Sequence, residues 1–148
     1  MSEAADRLYP PRPILSVSIA VFRAGRVLIA KRGKAPFAGA FSLPGGVVEI
    51  GERLDEAALR ELHEETGVEA VVLGFNDFLQ PIERVGAEVR SHYVIASFVG
   101  LWRAGEARIS AEATECRWVE PDETDALTTT PGLPALVRRA AAIARGQG

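Results

Sequence analysis

A cluster of carboxylates lies on one side of a predicted helix near the middle of the chain. Glu61, Glu64 and Glu65 are separated by three and four residues, which places them within about 100° of the helix circumference. Like charges at these spacings repel each other by roughly 0.2–0.5 kcal/mol per pair. A helix that only needed to be soluble would mix the signs of its charges on such a face. Hard oxygen ligands in this arrangement predict a divalent cation, Mg²⁺ or Mn²⁺.

The residues around this cluster follow a fixed spacing. Five residues separate Gly46 from Glu52, and seven more separate Glu52 from the pair Arg60-Glu61. The pattern resembles the Nudix box, the signature of the Nudix hydrolase family, and the alternative of a merely acidic surface helix does not account for it. The matching positions are Gly46, Glu52, Arg60, Glu61, Leu62, Glu64, Glu65, Gly67 and Val68. The lead-in at residues 41–46 and the later residues 117–119 extend the resemblance over most of the chain.

Composition limits the class of protein. The chain has 148 residues, of which 47% are hydrophobic and 25% charged, as expected for one globular domain. A net charge of −3 offers no electrostatic case for nucleic-acid binding. No apolar stretch approaches the roughly 18–20 residues of a membrane span. The single cysteine, Cys116, cannot form an intramolecular disulfide, which favours a cytoplasmic location and a small packed residue over a nucleophile.

Hydrophobic periodicity and turn residues predict the order of elements. We expect a helix over residues 54–66, ended by Gly67, and a second helix over residues 133–145. A short helix is expected near residues 121–127, and a loop over residues 83–88. The predicted strands cover residues 14–22, 27–31, 41–43, 47–48, 69–79, 89–102 and 115–119.

These elements predict an α/β protein in which a central mixed β-sheet is packed between helices. The Nudix resemblance implies the same α/β/α sandwich. Residues 1–13 contain prolines and acidic residues without an apolar core, so we expect them to form an N-terminal tail. Residues 14–146 are expected to form a single Nudix hydrolase domain.

The resemblance implies a role for each charged position of the box. Nudix enzymes hydrolyse a pyrophosphate bond in a nucleoside diphosphate linked to another group, and metal ions neutralise the phosphate oxygens. By matched position, Glu64 and Glu65 are expected to bind metal, and Glu61 to bind metal or take a proton from water. The backbone carbonyl of Gly46 is expected to complete the coordination. Arg60 is expected to pair with a carboxylate of the box and hold its orientation.

Residues outside the helix extend the expected site. The resemblance implies one more metal-binding carboxylate from the loop before the last strand. Glu112 is the first candidate and Glu115 the second, and a solvated loop acid is the alternative for both. Glu52 is expected to orient rather than to ligate. His63 projects away from the acidic side and is expected on the surface.

Four residues are candidates for substrate contacts. Arg32 and Lys34 follow the second predicted strand and could meet phosphate oxygens. Phe41 could stack on a base, although a core position is the commoner alternative for such a residue. Arg84 lies near the loop between the two long strands and is a further candidate phosphate contact, with a solvated charge as the alternative.

The favoured substrate follows from residues 32–46, which are similar to bacterial ADP-ribose pyrophosphatase-like members. ADP-ribose or a nucleoside diphosphate sugar is therefore the expected small-molecule substrate. Pro81 is displaced from the position typical of that branch, so a (deoxy)nucleoside triphosphate pyrophosphohydrolase is the alternative. Enzymes that clear oxidised guanine nucleotides often place an asparagine where this chain has Thr130-Pro131-Gly132, so the missing asparagine disfavours that substrate. A non-catalytic nucleotide sensor is disfavoured by the intact box. Homodimers are frequent in the family, so a homodimer is an open expectation.

Overall fold

The structure, a computed structural model, describes residues 7–147. Within this range the chain forms eight strands, two α-helices and one 3₁₀ helix. The strands are β1 (Ile14–Arg23), β2 (Arg26–Arg32), β3 (Phe41–Ser42), β4 (Gly45–Val47), β5 (Glu69–Leu79), β6 (Ile82–Val85), β7 (Glu88–Ala104) and β8 (Ala113–Val119). The helices are α1 (Leu54–Thr66) and α2 (Leu133–Gln147), and the 3₁₀ helix is Pro121–Ala126. No helix in this range is long and apolar enough to cross a membrane.

The sheet is mixed, as predicted. Its main path runs β3-β2-β1-β7-β5, and β4, β6 and β8 pair with β1, β7 and β2 respectively. β1 and β7 are parallel from Ile14↔Tyr93 to Phe22↔Leu101, whereas the other pairs are antiparallel. A central parallel pair must be covered on both faces, which explains the nearly continuous apolar sequence of β1.

Two hydrophobic clusters fill the space on either side of the sheet. Consecutive residues of β1 alternate between them, because side chains of a strand point to opposite faces. Ile19 packs in the cluster beneath α1, and Ala20 packs in the cluster beneath α2. The resulting three layers confirm the predicted α/β/α architecture.

The predicted loop over residues 83–88 is wrong. This segment contains most of β6, a two-residue turn and the first residue of β7, with Val85 opposite Glu88. Gly86 has a φ of 63°, which supplies the positive dihedral that a tight hairpin turn requires. All four residues of β6 are exposed. Strand β6 therefore has no buried face, and its sequence shows no apolar alternation that would predict a strand.

The structure contains all three predicted helices. α1 has the predicted bounds, and Gly67 follows it with a left-handed φ of 78°. The short helix after Pro121 forms with 3₁₀ geometry. Residues 1–6 of the predicted tail lie outside the described part, and further along the tail the Tyr9 N–H donates to the Arg90 carbonyl at 2.8 Å. The domain boundaries stay predictions.

Candidate active site

Helix α1 holds the predicted carboxylates at the edge of its buried face. Ala58 and Leu62 are fully buried in the cluster beneath the helix, and this packing fixes the helix rotation. Glu61 and Glu65 lie partly buried next to these residues, whereas Glu64 is exposed. The hydrophobic stripe therefore determines where the acidic stripe points.

Strand β4 brings main chain directly against one of these carboxylates. Gly46 pairs with Val17 of β1 and faces α1. A methyl carbon built on Gly46 would lie 2.4 Å from Cδ of Glu61 and 2.5 and 2.6 Å from its two oxygens. Only glycine allows the main chain to approach the carboxylate of Glu61 this closely.

Gly45 has a role that the sequence analysis missed. Its backbone N–H donates to the carboxylate of Glu65. A methyl carbon built on Gly45 would lie 2.1 Å from the carbonyl oxygen of Val17, so a side chain cannot be accommodated there. The available signal was the pair of consecutive glycines, one just before the box and one at its first position, since each permits a close contact with a different element.

Arg60 connects the box, as expected. Its Nε and Nη2 donate to Glu52 at 2.6 and 2.9 Å, and Nη1 donates to Glu61 at 2.9 Å. Nη1 also donates to Glu64 at 3.2 Å, and Nη2 donates to the carbonyl of Val47 at 3.1 Å. A rigid guanidinium thus fixes the loop before α1 and two carboxylates of α1 relative to one another.

The charges of this network shift several pKa values. The hydrogen bonds from Arg60 lower the pKa of Glu52 to about 2, and the same contacts raise the pKa of Arg60. Glu61 has a raised pKa because burial outweighs its contact with Arg60. Burial, followed by the nearby charge of Glu61, raises the pKa of Glu65 to about 8. Burial is the main cause of the raised pKa values of these two carboxylates, so a cation next to Glu61 and Glu65 would stabilise their charged forms.

The residues present fit a hard divalent cation. The donors are all oxygens, Gly46 brings its main chain against Glu61, and burial followed by the charge of Glu61 raises the pKa of Glu65, which a bound cation would counteract. Within residues 7–147 no three acidic, histidine or cysteine side chains already surround one point. Arg60 donates to one oxygen of Glu61 and to one oxygen of Glu64, so each carboxylate keeps a second oxygen with which it could ligate an ion.

Glu112 lies at the same edge of the sheet as the box. It precedes β8, and its negative charge contributes to the raised pKa of Glu65. Its Oε1 is 3.6 Å from Nζ of Lys34. The second candidate, Glu115, lies on β8 and forms ion pairs with Arg117 and Lys31. The structure thus brings the first candidate close to Glu65, while its role as a ligand stays a prediction.

The four candidate substrate residues lie in different surroundings. Arg32 is partly buried and donates from Nε to the Pro36 carbonyl at 2.7 Å, and Lys34 is exposed. Phe41 is only 4% exposed within the cluster beneath α2, and the Arg117 guanidinium lies 4.9 Å from its ring centroid. This burial leaves no ring face for a base, which corrects the stacking expectation in favour of a core role. Arg84 is exposed on β6, in the ribbon at the sheet edge.

Two other residues are where we expected them. His63 is exposed on α1. Cys116 lies on β8 and packs partly buried against the cluster beneath α1. Burial, followed by the charges of Glu65 and Glu115, raises the pKa of its thiol, so it is not an activated nucleophile.

Comparison with known proteins places this geometry in a family. The sequence matches the NUDIX domain over residues 12–140. The chain belongs to the Nudix hydrolase family. Nudix hydrolases are pyrophosphohydrolases that act on nucleotides with the help of divalent cations, so this chain is an enzyme of that class.

Individual relatives differ in their substrates. An ADP-ribose pyrophosphatase from Methanocaldococcus jannaschii is 32% identical over 114 residues, which cover 77% of this Nudix chain and 65% of that protein. The chain thus spans just under two thirds of that relative. An RNA pyrophosphohydrolase from Erythrobacter litoralis is 34% identical over 125 residues, covering 68% of this chain and 71% of the relative. The crystal structure of a MutT NUDIX hydrolase from Burkholderia pseudomallei has a TM-score of 0.75 at 25% identity and covers 86% of this chain and 98% of its own.

Proposed function

We propose that this Nudix enzyme hydrolyses the pyrophosphate bond of ADP-ribose or a related nucleoside diphosphate sugar, with Mg²⁺ or Mn²⁺ as its cofactor. The observation that carries the chemistry is the pair of partly buried carboxylates, Glu61 and Glu65, held against the main chain at Gly45 and Gly46. The similarity to an ADP-ribose pyrophosphatase supports the substrate.

Each residue of the box has a task in this proposal. A bound Mg²⁺ or Mn²⁺ would neutralise the diphosphate oxygens and lower the pKa of the attacking water. Glu64 and Glu65 would hold the ion together with the carbonyl of Gly46. Glu61 either shares in this binding or accepts the proton of the attacking water. Arg60 keeps Glu61 in place through the hydrogen bond at 2.9 Å.

Residues at the same edge of the sheet complete the proposed site. Glu112 adds a carboxylate near Glu65. Lys34, whose Nζ lies 3.6 Å from Oε1 of Glu112, is exposed and can contact a phosphate oxygen of the substrate. Arg32 is held by the Pro36 carbonyl in the same loop and can act likewise. Arg84 stays a predicted phosphate contact on the β6–β7 ribbon. The bulk of the substrate would then lie between these cations and α1.

The second candidate function is hydrolysis of a (deoxy)nucleoside triphosphate to the monophosphate and pyrophosphate. The similarity to a putative 8-oxo-dGTP diphosphatase from Mycobacterium tuberculosis favours it, because that relative is 34% identical over 133 residues, which cover 83% of this chain and 94% of the relative. The same carboxylates would serve, since only the group beyond the cleaved bond changes. A nucleotide sensor without catalysis would not need the complete box.

Cytoplasmic location and dimer formation stay predictions from the single cysteine and the family resemblance.

A substrate panel in Mg²⁺ tests the proposal. The wild-type protein should release AMP and ribose 5-phosphate from ADP-ribose, with the ¹⁸O of labelled water in one of the two products. Release of pyrophosphate from triphosphates alone would favour the second candidate. A triphosphorylated RNA oligonucleotide belongs in the panel because of the relative that acts on RNA. Tight nucleotide binding without turnover would refute an enzymatic role.

Substitution of a metal-binding glutamate distinguishes an effect on catalysis from an effect on folding. Glu64→Gln removes an exposed carboxylate, so kcat should fall by about a hundredfold or more while the thermal midpoint changes little. His63→Gln is the matched control, since it changes the neighbouring exposed residue on the other side of α1. Near-normal kcat for Glu64→Gln at low Mg²⁺ would contradict the assigned role.

A further inference from the structure

An irregular segment between β7 and β8 runs against the end of helix α1. It covers residues 105–112, and we call it the α1 clasp. Although the clasp contains neither helix nor strand, hydrogen bonds hold both of its ends. Trp102 Nε1 donates to the carbonyl of Gly105 at 2.8 Å, and the N–H of Gly33 donates to the carbonyl of Glu112 at 3.1 Å.

The first half of the clasp packs on the C-terminal end of α1. The N–H of Arg108 donates to the carbonyl of Thr66 at 2.9 Å. A methyl carbon built on Gly105 would lie 2.4 Å from the carbonyl oxygen of Gly67, so the two backbones are in direct contact. Gly105 also has a φ of 88°, which a side chain would resist.

The Arg108 side chain covers the residue that ends the helix. A methyl carbon built on Gly67 would lie 2.8 Å from Nη1 and 2.9 Å from Cζ of Arg108. A cation at this position interacts favourably with the negative end of the helix dipole. The carbonyl of Arg108 faces Cys116, whose Sγ lies 3.6 Å away. Main chain and side chain of Arg108 therefore tie the middle of the clasp to α1 and β8.

The second half of the clasp delivers Glu112 to the site. The N–H of Ser110 donates to the carbonyl of Ala113 at 2.8 Å, and the N–H of Ala113 donates to Ser110 Oγ at 3.1 Å, which closes a tight turn. A methyl carbon built on Gly33 would lie 2.5 Å from the carbonyl oxygen of Ala111. The clasp is thus fixed on one side to the helix that carries Glu65 and on the other to the loop that carries Lys34.

We propose that Arg108 is a positioning residue, which anchors the clasp on the end of α1 and thereby sets the place of Glu112 beside Glu65. Arg108 does not itself contact the reacting groups in this proposal. It acts through Glu112, so the proposal rests on the proposed function only in that Glu112 helps to hold the metal ion. A residue of this kind typically changes metal affinity by about 10–100-fold when it is removed.

Hydrogen exchange of the metal-free protein tests the anchoring by itself. Arg108 is exposed, so Arg108→Ala should leave the cores intact and speed exchange in a peptide spanning residues 105–112 about tenfold. Arg108→Lys, which keeps the charge at the helix end, should give an intermediate rate. Arg103→Ala changes an exposed arginine on β7 and should leave the exchange of the clasp unchanged. Equal exchange in wild type and Arg108→Ala would overturn the proposal.

A double-mutant cycle with Mn²⁺ alone tests the action through Glu112. Arg108→Ala should weaken Mn²⁺ binding, measured by electron paramagnetic resonance, about tenfold in the wild-type background. In the Glu112→Gln background the same substitution should have no further effect. A full loss in both backgrounds would show a merely structural role and refute the proposal.

The two proposals can fail separately. If Glu112→Gln alone leaves Mn²⁺ affinity unchanged, the positioning role is refuted, while the proposed function still stands on Glu61, Glu64 and Glu65. If the cycle behaves as expected but no substrate of the panel is cleaved, the proposed function fails and the positioning role stands.

Discussion

At the scale of single residues, the surroundings of Glu65 destabilise its charged form. Its carboxylate is partly buried, accepts a hydrogen bond from Gly45 and has the charge of Glu61 nearby. Burial and the like charge raise its pKa to about 8, because the hydrogen bond does not compensate for them. The pKa of Glu52 shifts in the opposite direction, since hydrogen bonds from Arg60 lower it to about 2. Arg60 therefore stabilises the charged form of Glu52, whereas the charged form of Glu65, the proposed metal ligand, would be stabilised by a bound cation.

This difference predicts how the stability of the metal-free protein depends on pH. The folded state keeps a proton on Glu65 up to a pKa of about 8, whereas a free carboxyl loses it near 4.5. The free energy of unfolding should therefore be highest at the acidic end of this interval and fall as the pH rises through about 8. Thermal midpoints measured in a chelating buffer between these values should show the decrease.

Two comparisons make this prediction specific to Glu65. Glu65→Gln removes the titrating group and should flatten the pH dependence over the same interval. Addition of Mg²⁺ at pH 8 should restore stability to the wild type and less so to Glu65→Gln. An identical slope for both proteins would mean that Glu65 does not carry this proton.

At the scale of elements, several hydrogen bonds and packing contacts meet at the C-terminal end of α1. Thr66 Oγ1 donates to the Leu62 carbonyl at 2.7 Å, and the Gly67 N–H donates to the His63 carbonyl at 2.9 Å. The bond to His63 satisfies one of the carbonyl groups that a helix end otherwise leaves open. Gly67 then turns the chain toward β5 while Arg108 covers it. The same turn thus ends the helix and seats the clasp.

Substitution of this glycine should cost more than backbone strain alone. Gly67→Ala places a side chain at a φ of 78°, which costs about 1–2 kcal/mol, and it also displaces Arg108. Gly86→Ala in the β6–β7 turn has a similar φ of 63° with no atom within 4 Å of the added carbon. Urea unfolding should show a larger loss for Gly67→Ala, by about 0.3–1 kcal/mol from the lost contact at the helix end.

An Arg108→Ala background provides the check on this prediction. There the added carbon on Gly67 no longer meets a guanidinium, so the two glycine substitutions should cost the same. A persistent difference would place the extra cost elsewhere in the helix end.

At the scale of the whole molecule, the sheet joins two cores into one cooperative unit. Both tryptophans, Trp102 and Trp118, pack against the cluster beneath α1. Leu136 is 5% exposed and belongs to the cluster beneath α2, on the opposite face. Because β1 contributes residues to both clusters, neither face can lose its packing without disturbing the strand shared by the two.

Leu136→Ala should therefore destabilise both faces together. The lost burial should lower the free energy of unfolding by about 2–5 kcal/mol. Tryptophan fluorescence, which reports the α1 face, and far-UV circular dichroism should show the same lowered midpoint. Arg145→Ala on the exposed side of α2 is the control and should change the midpoint little. Separate midpoints for the two probes would show that the faces unfold independently.

Local sequence carried the parts of this protein that depend on short-range spacing. The hydrophobic recurrence of Leu54, Ala58 and Leu62 predicted the bounds of α1, and Gly67 predicted its end. The spacing of the box predicted the family, and the resemblance to that family implied the pairing of Arg60 with a carboxylate of the box. The mixed sheet between helices followed from the order of these elements.

Tertiary structure decided whatever depends on contacts between distant segments. Phe41 is a core residue because α2 and Arg117 cover it, and nothing in its neighbours along the chain shows that. The β6–β7 ribbon has no signal of apolar alternation in the sequence, because all four residues of β6 are exposed. The N–H of Gly45 meets Glu65 only because β4 pairs with β1 beneath α1, and the clasp meets Gly67 after a chain excursion through β5 and β7. Spacing along one helix fixes directions within it, whereas packing alone fixes which other segments it meets.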